Sequence, residues 1–346
     1  MTSASYDFLC VDDFLQTELD ARAIRSAFET GLIDALVAQG PLSEAALAAK
    51  TRMVPAGFRL LTGLLAVNNV IRPERDQLAL TPAFVRALGF RDLLETRIDF
   101  ADLVWGDIHT LFTPLLADLP QFMARSKVFD LFRYDRCMNV TAENLEATKS
   151  WVRLTTGLTR YESRAVLDAV DLGAARSLLD IGGNSGELAL QVCRRYPAMQ
   201  ATVVDLPVVC VLGRSHVAAV ARPEEAARIR FCAADFRRDP LPEAADIVSF
   251  KSVLHDWPDA DAERLMERAC ALVNPGGRML IFERGPIEVG DRRLPYSMAP
   301  NLVFLQFLRP PDLYLRKLAQ LGLTVIEHRC VALEMGFHLI VARRPG

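Results

Sequence analysis

The stretch Ser177-Leu178-Leu179-Asp180-Ile181-Gly182-Gly183-Asn184-Ser185-Gly186 decides the fold. An apolar strand runs into a glycine turn, and the amphipathic run to Tyr196 then opens a helix, so backbone N–H groups and a positive helix end gather at the strand's carboxyl edge. Gly182 and Gly183 allow close backbone approach and positive φ, and Asn184, standing where a third glycine is common, is the next residue most tolerant of that conformation. No Lys-Ser/Thr pair follows, which argues against a phosphate-cradling NTPase loop.

Strand-like and helical runs alternate beyond this turn. Ala201 to Val204 precedes a helix from Pro207; Ile229 to Ala233 and Ile247 to Leu254 follow; then come a helix from Asp259 to Val273 and a strand from Arg278 to Phe282. That rhythm predicts a parallel doubly wound sheet. After a helix around Leu313 to Leu321, two β-rich runs, Leu323 to Cys330 and Gly336 to Ala342, are too close for a parallel crossover and predict an antiparallel hairpin. The expected architecture is α/β, a Rossmann-like seven-stranded sheet with an antiparallel final strand.

On the amino-terminal side the pattern is helical. Ala21, Ile24, Ala27 and Phe28 fall at helical spacing, Gly31 and Gly40 punctuate, Ser43 caps the next helix, and Phe58, Leu60, Leu61, Leu64 and Leu65 follow on another. Val70-Ile71-Arg72 and Leu78-Ala79-Leu80 then flank a turn, giving the order of a winged-helix-like unit. Such a unit reads DNA or joins subunits. Residues 1–90 hold eight basic and ten acidic side chains, a balance that opposes contact with a phosphate backbone. The predicted division is a winged-helix-like dimerisation domain at 1–100, a helical connector that contributes to the substrate pocket at 101–171, and a catalytic domain at 172–346.

The composition agrees. Of 346 residues, 51% are apolar and 24% charged, with 40 basic against 43 acidic side chains, which excludes disordered and collagen-like chains and any global field for nucleic acid. No uncharged apolar run approaches the roughly 18 residues that span a bilayer. The first 15 residues carry Asp7, Asp12 and Asp13 and no base, unlike a secretory leader, so a cytoplasmic location is expected. Seven widely spaced cysteines suit neither a zinc knuckle nor a disulfide lattice and are read as small buried hydrophobes.

Chemistry concentrates at the strand ends. Asp205 ends the second strand of the sheet, where an acid accepts hydrogen bonds from ribose hydroxyls, and Asp235-Phe236 after the third offers an acceptor and an aromatic face suited to adenine. His255, in Phe250-Lys251-Ser252-Val253-Leu254-His255-Asp256-Trp257-Pro258-Asp259, is the histidine placed beside that crevice. Glu283 ends the neighbouring strand, where it can orient the imidazole and leave the other ring nitrogen as a general base. Moving a proton fully from a phenol to an ordinary imidazole in advance would cost about 4 to 5 kcal/mol, so the proton must move as attack proceeds.

These residues resemble the caffeate and acetylserotonin type of S-adenosylmethionine-dependent O-methyltransferases, together with their bacterial natural-product relatives. The resemblance rests on Leu80-Thr81-Pro82, the Asp180 to Gly186 loop, Tyr196-Pro197, Asp205-Leu206-Pro207, Asp235-Phe236, His255-Asp256-Trp257-Pro258-Asp259, Asn274-Pro275-Gly276-Gly277 and Glu283. It implies that Gly182, Gly183, Asp205, Leu206, Asp235, Phe236 and Lys251 bind S-adenosylmethionine, with S-adenosylhomocysteine as product, that His255 deprotonates the acceptor, and that Glu283 steers His255. It implies a homodimer and a reaction without a metal. One departure is marked: the family often places a second acid just before an Arg-Thr pair, where this chain reads Leu308-Arg309-Pro310-Pro311, leaving His255 to Glu283 alone or to Asp312.

Phe129, Phe132, Met138, Trp151, Met298, Asn301, Phe304 and Phe307 are the candidates for an aromatic-rich acceptor cleft, suited to a small aromatic or polyketide-like hydroxyl compound. Three other readings share features of the chain: a family member repurposed for chemistry other than methyl transfer, a nicotinamide oxidoreductase, and a winged-helix ligand-sensing regulator. The antiparallel ending and the tryptophan block oppose the oxidoreductase.

Overall fold

The computed structural model describes residues 6–290 and 293–346. Two compact units emerge, one made of residues 1–108 with 289–302, the other of residues 109–288 with 303–346.

The first unit is helical. It contains α1 (Glu18–Glu29), α2 (Leu32–Gln39), α3 (Glu44–Thr51), α4 (Pro55–Val67), the hairpin β1 (Ile71–Glu74) and β2 (Gln77–Leu80), α5 (Pro82–Leu88) and the first part of α6 (Arg91–Ala117). Helix α1 starts where Thr17 and Asp20 cap each other's backbone, and the hydroxyls of Ser43 and Thr81 cap α3 and α5. Its core includes Ala21, Ile24, Leu32, Leu36, Leu65 and Phe84, all buried. Tyr296, from the segment that returns to this unit, donates to Asp102 at 2.9 Å and packs edge-on against Trp105.

The second unit begins with α7 (Leu119–Arg125), α8 (Val128–Leu131) and the long α9 (Ala142–Ala169). Its sheet is built from β3 (Ser177–Ile181), β4 (Gln200–Asp205), β5 (Ile229–Ala233), β6 (Ala245–Lys251), β7 (Val273–Arg284), β8 (Thr324–Ala332) and β9 (Gly336–Arg343), in the order β5-β4-β3-β6-β7-β9-β8. The intervening helices are α10 (Glu187–Arg195), α11 (Pro207–Val220), α12 (Pro223–Ala226), α13 (Asp259–Ala271) and α15 (Asp312–Gln320), with α14 (Ala299–Val303) in the return segment. β9 runs antiparallel between β7 and β8, as the short link requires. The order reverses beside β3, whose neighbours are β4 and β6, so the crevice at its carboxyl end is the topological switch point of the sheet.

Two expectations need correction. The fourth strand of this sheet ends at Lys251 rather than Leu254, because Ser252 takes φ +56° and the amides of Val253 and Leu254 turn away from the ladder to Glu283. Nor are all the cysteines buried: Cys137, Cys193 and Cys210 are, whereas Cys330 is exposed on edge strand β8. Among the described residues no helix is long and apolar enough to cross a membrane.

Candidate active site

The glycine turn is held under steric constraint. Gly182 adopts φ +69°, and a Cβ there would lie 2.7 Å from Val253 Cγ2; at Gly183 it would meet Asp180 Oδ2 at 2.5 Å. Asn184 also sits at positive φ, +53°, and its N–H donates to Asp205 Oδ2 at 2.8 Å. Leu206 N–H takes the other oxygen of Asp205, also at 2.8 Å. Each oxygen of that carboxylate retains a lone pair for a further donor. Burial pushes the pKa of both Asp180 and Asp205 up to about 6. Asp180 Oδ2 and Asn184 Oδ1 are buried without a hydrogen-bond partner.

These features fit the nucleoside cofactor implied by the sequence. Glycines clear the backbone over which it would lie, Gly186 opens α10 with its amides at the crevice, and Asp205 has acceptor capacity for ribose hydroxyls. Asp235 differs. Its oxygens already accept the backbone N–H and the guanidinium of Arg237, with Arg238 2.8 Å away, so about four acceptor positions are filled, and Arg237 holds its carboxyl below the usual range. Arg237 in turn covers the ring of Trp257 at 4.6 Å, and Phe236 meets the same ring edge-on. Lys251 gives its ammonium to Glu162 and to Thr159 Oγ1, and Glu162 also receives Arg284.

The proton-handling corner lies at the ends of β6 and β7. Glu283, fully buried, accepts Val253 and Leu254 N–H on Oε1 at 2.8 Å and faces His255 Nδ1 with Oε2 at 2.6 Å. Burial alone would raise the Glu283 pKa, but the charge of His255 and these donors bring it below the usual value, so Glu283 is the acceptor and Nδ1 carries the proton. Nε2 points the other way, 3.3 Å from Asp256 Oδ1. Asp256 Oδ2 accepts from Tyr134 Oη at 2.6 Å. Burial would push the His255 pKa down, yet the charges of Asp256 and Glu283 outweigh it and hold the imidazole above its ordinary 6.5.

Where the second family acid would stand, Leu308 is buried. Arg309 instead donates to the carbonyl of Trp257 and pairs with Asp259 at 3.0 Å, bracing the turn that carries His255. Among the described residues the carboxylates at the His255 ring are Glu283 and Asp256; Asp312 opens α15 instead.

An aromatic chain connects the cleft candidates to this corner. Phe129 meets Phe304 at 6.0 Å and Phe307 at 6.1 Å, Phe132 meets Phe304 at 5.5 Å and Trp151 at 5.8 Å, and Tyr134 joins Trp151 to Trp257. Met138 packs on the Trp151 cluster. Met298 and Asn301 belong to the first unit, where Asn301 Nδ2 lies 3.5 Å from Met298 Sδ. Tyr134, Glu162, Arg284 and Arg309 were not predicted as site residues. Asp256 was within reach, because it adjoins His255; Tyr134 meets its partner across 122 positions and leaves no local signal.

The family model for the O-methyltransferase domain matches residues 125–302, just over half of the chain. The sequence is 29% identical to acetylserotonin O-methyltransferase of Mus musculus, over 98% of this chain and 86% of the relative. It is 34% identical to 3-hydroxy-5-methyl-1-naphthoate 3-O-methyltransferase of Streptomyces sahachiroi, over 42% of this chain and 41% of the relative. The crystal structure of human N-acetylserotonin methyltransferase in complex with S-adenosylmethionine superimposes with a TM-score of 0.60 at 25% identity, covering 95% of both chains.

Proposed function

Because this chain belongs to the O-methyltransferase domain family and is an S-adenosylmethionine-dependent enzyme of that class, we propose that it methylates a hydroxyl of a small aromatic or polyketide-like molecule, with His255 as general base. The observation that carries the role of His255 is the 2.6 Å contact of Nδ1 with buried Glu283 beside the glycine turn.

When bound, the cofactor supplies an electrophilic methyl group on a cationic sulfur. Gly182 and Gly183 would lie against its methionine part, Asp205 and Leu206 would hold the ribose, and Phe236 and Asp235 the adenine, the exposed Arg238 being the contact that yields on Asp235. Lys251 would add the N–H that Glu162 and Thr159 leave over. Phe129, Phe132, Met138, Trp151 and Phe304 present apolar faces to a flat acceptor. His255 Nε2 takes the hydroxyl proton as the oxygen attacks, and Glu283 stabilises the imidazolium that forms. The raised pKa of His255 narrows the gap to a phenol. Positioning supplies the rest.

The division at 1–100, 101–171 and 172–346 and the homodimer belong to the same proposal. Leu19, Val37, Val54, Leu60, Val67 and Val85 are exposed apolar side chains of the winged-helix-like region, which supports subunit association there. Seven unpaired thiols suit a reducing cytoplasm. Incubation with S-adenosylmethionine and a panel of phenolic and polyketide hydroxyl compounds should yield products heavier by one methyl group, with S-adenosylhomocysteine formed in equal amount. Methylation confined to amines or carbon would overturn the acceptor class.

A further inference from the structure

The reading of His255 as base leaves a difficulty at the nitrogen that does the work. With Nδ1–H committed to Glu283, Nε2 must present a lone pair to the acceptor hydroxyl. Asp256 Oδ1 is 3.3 Å from that nitrogen. Were this carboxylate to close into an aligned hydrogen bond, the ring would stand between two anions, both nitrogens would keep their protons, and the imidazolium would be unable to accept another.

What opposes closure is on the other oxygen. Tyr134 Oη donates to Asp256 Oδ2 at 2.6 Å, a short charge-assisted bond. The phenol is itself held in place, stacked on Trp257 at 5.5 Å with 26° between planes and set against Trp151 at 5.6 Å. We propose that Tyr134 is a positioning residue that tethers Asp256 and so keeps Nε2 of His255 open for proton removal. This rests on His255 being the base. Among the described residues, the other ionisable groups bearing on the corner include Glu283 and Arg284 from β7, His338 of β9 opposite Glu283, Asp205 at the end of β4, Arg237 after β5, Asp259 and Arg309, and the neutral Cys137 and Tyr314.

Tyr134→Phe keeps the ring and its stacking and removes only the hydroxyl. Asp256, released from one side, then binds the imidazolium more firmly, and the acidic limb of kcat/KM moves to higher pH by about one unit, a tenfold loss of activity on that limb. Asp256→Asn removes the anion and moves the limb the opposite way. In the Asp256→Asn background Tyr134→Phe has no further effect on the limb, since the phenol acts through that carboxylate. The same displacements are read without turnover by NMR titration of the His255 ring, identified by its loss in His255→Ala.

A limb and a ring titration that stay in place in Tyr134→Phe, or move to lower pH, would overturn the proposal. So would a Tyr134→Phe displacement that persists in the Asp256→Asn background, which would mean that the phenol acts elsewhere. If His255→Ala retained turnover with its limb intact, the base reading would fail, while the ring titration would still report whether Tyr134 holds Asp256.

Discussion

The two sides of one sheet edge are built on different principles. On the β3 and β4 side, Gly182, Gly183 and the amide of Asn184 shape the crevice with backbone, and Asp205 is held by two neighbouring N–H groups. On the β6 and β7 side, side chains from distant parts of the chain form a line from Tyr134 through Asp256 and His255 to Glu283. In the proposed function the first arrangement would bind the cofactor and the second would move a proton. They should therefore be separable by mutation, affinity for S-adenosylhomocysteine reporting one and turnover the other.

The largest break is expected at Glu283. Glutamine there turns an amide N–H toward Nδ1, which must then accept, and the ring proton passes to Nε2, where it blocks the base. Turnover should fall by about 10² to 10⁴, while calorimetry with S-adenosylhomocysteine changes little; equal losses in both would merge the two sides. Gly182→Ala is the converse. A left-handed φ for alanine costs roughly 1–2 kcal/mol, and the new methyl would lie 2.7 Å from Val253 Cγ2, so cofactor affinity should fall on the order of tenfold or more. Unchanged affinity would mean that the turn tolerates a side chain.

A smaller effect comes from pH. Asp205 titrates at about 6 instead of the ordinary 3.8, so it binds a proton in the folded chain that the unfolded chain has already lost, and its ionisation costs stability as pH rises through that window. A charged Asp205 is also the stronger acceptor for ribose. Affinity for S-adenosylhomocysteine should hold at neutral pH and weaken below 6, with Asp205→Asn weaker throughout and flatter. A wild-type affinity that rises on acidification would remove Asp205 from the ribose. The smallest change is expected from Arg238→Ala: this exposed side chain gives up one contact to Asp235, and affinity should rise by no more than about twofold.

The same contrast explains what the sequence revealed. Backbone constraints are local: a strand, a glycine turn and a helix lie consecutively from Ser177 to Arg195, and Asp205 at the end of β4 is recognisable by position. The hairpin ending followed from the few residues between β8 and β9. The two carboxylates at His255 were half legible, Glu283 by its strand and Asp256 only by adjacency. Tyr134 and Glu162 act through tertiary contacts with no motif of their own, and Arg309, although it stands in the Leu308-Arg309-Pro310-Pro311 segment, reaches the Trp257 carbonyl through a contact that no local pattern announces. The true end of β6 was missed for a related reason: Glu283, from another strand, captures the two amides that would have continued the ladder.

In the proposed function the His255 imidazole, just beyond β6, handles the proton and not the cofactor. That role is tested most directly by comparing His255→Ala with the wild type, measuring turnover and S-adenosylhomocysteine affinity on the same preparation. Turnover should be lower by about 10² to 10⁴ with affinity within about twofold. Turnover that survives the substitution, or an affinity that collapses with it, would take the proton-handling role away from His255.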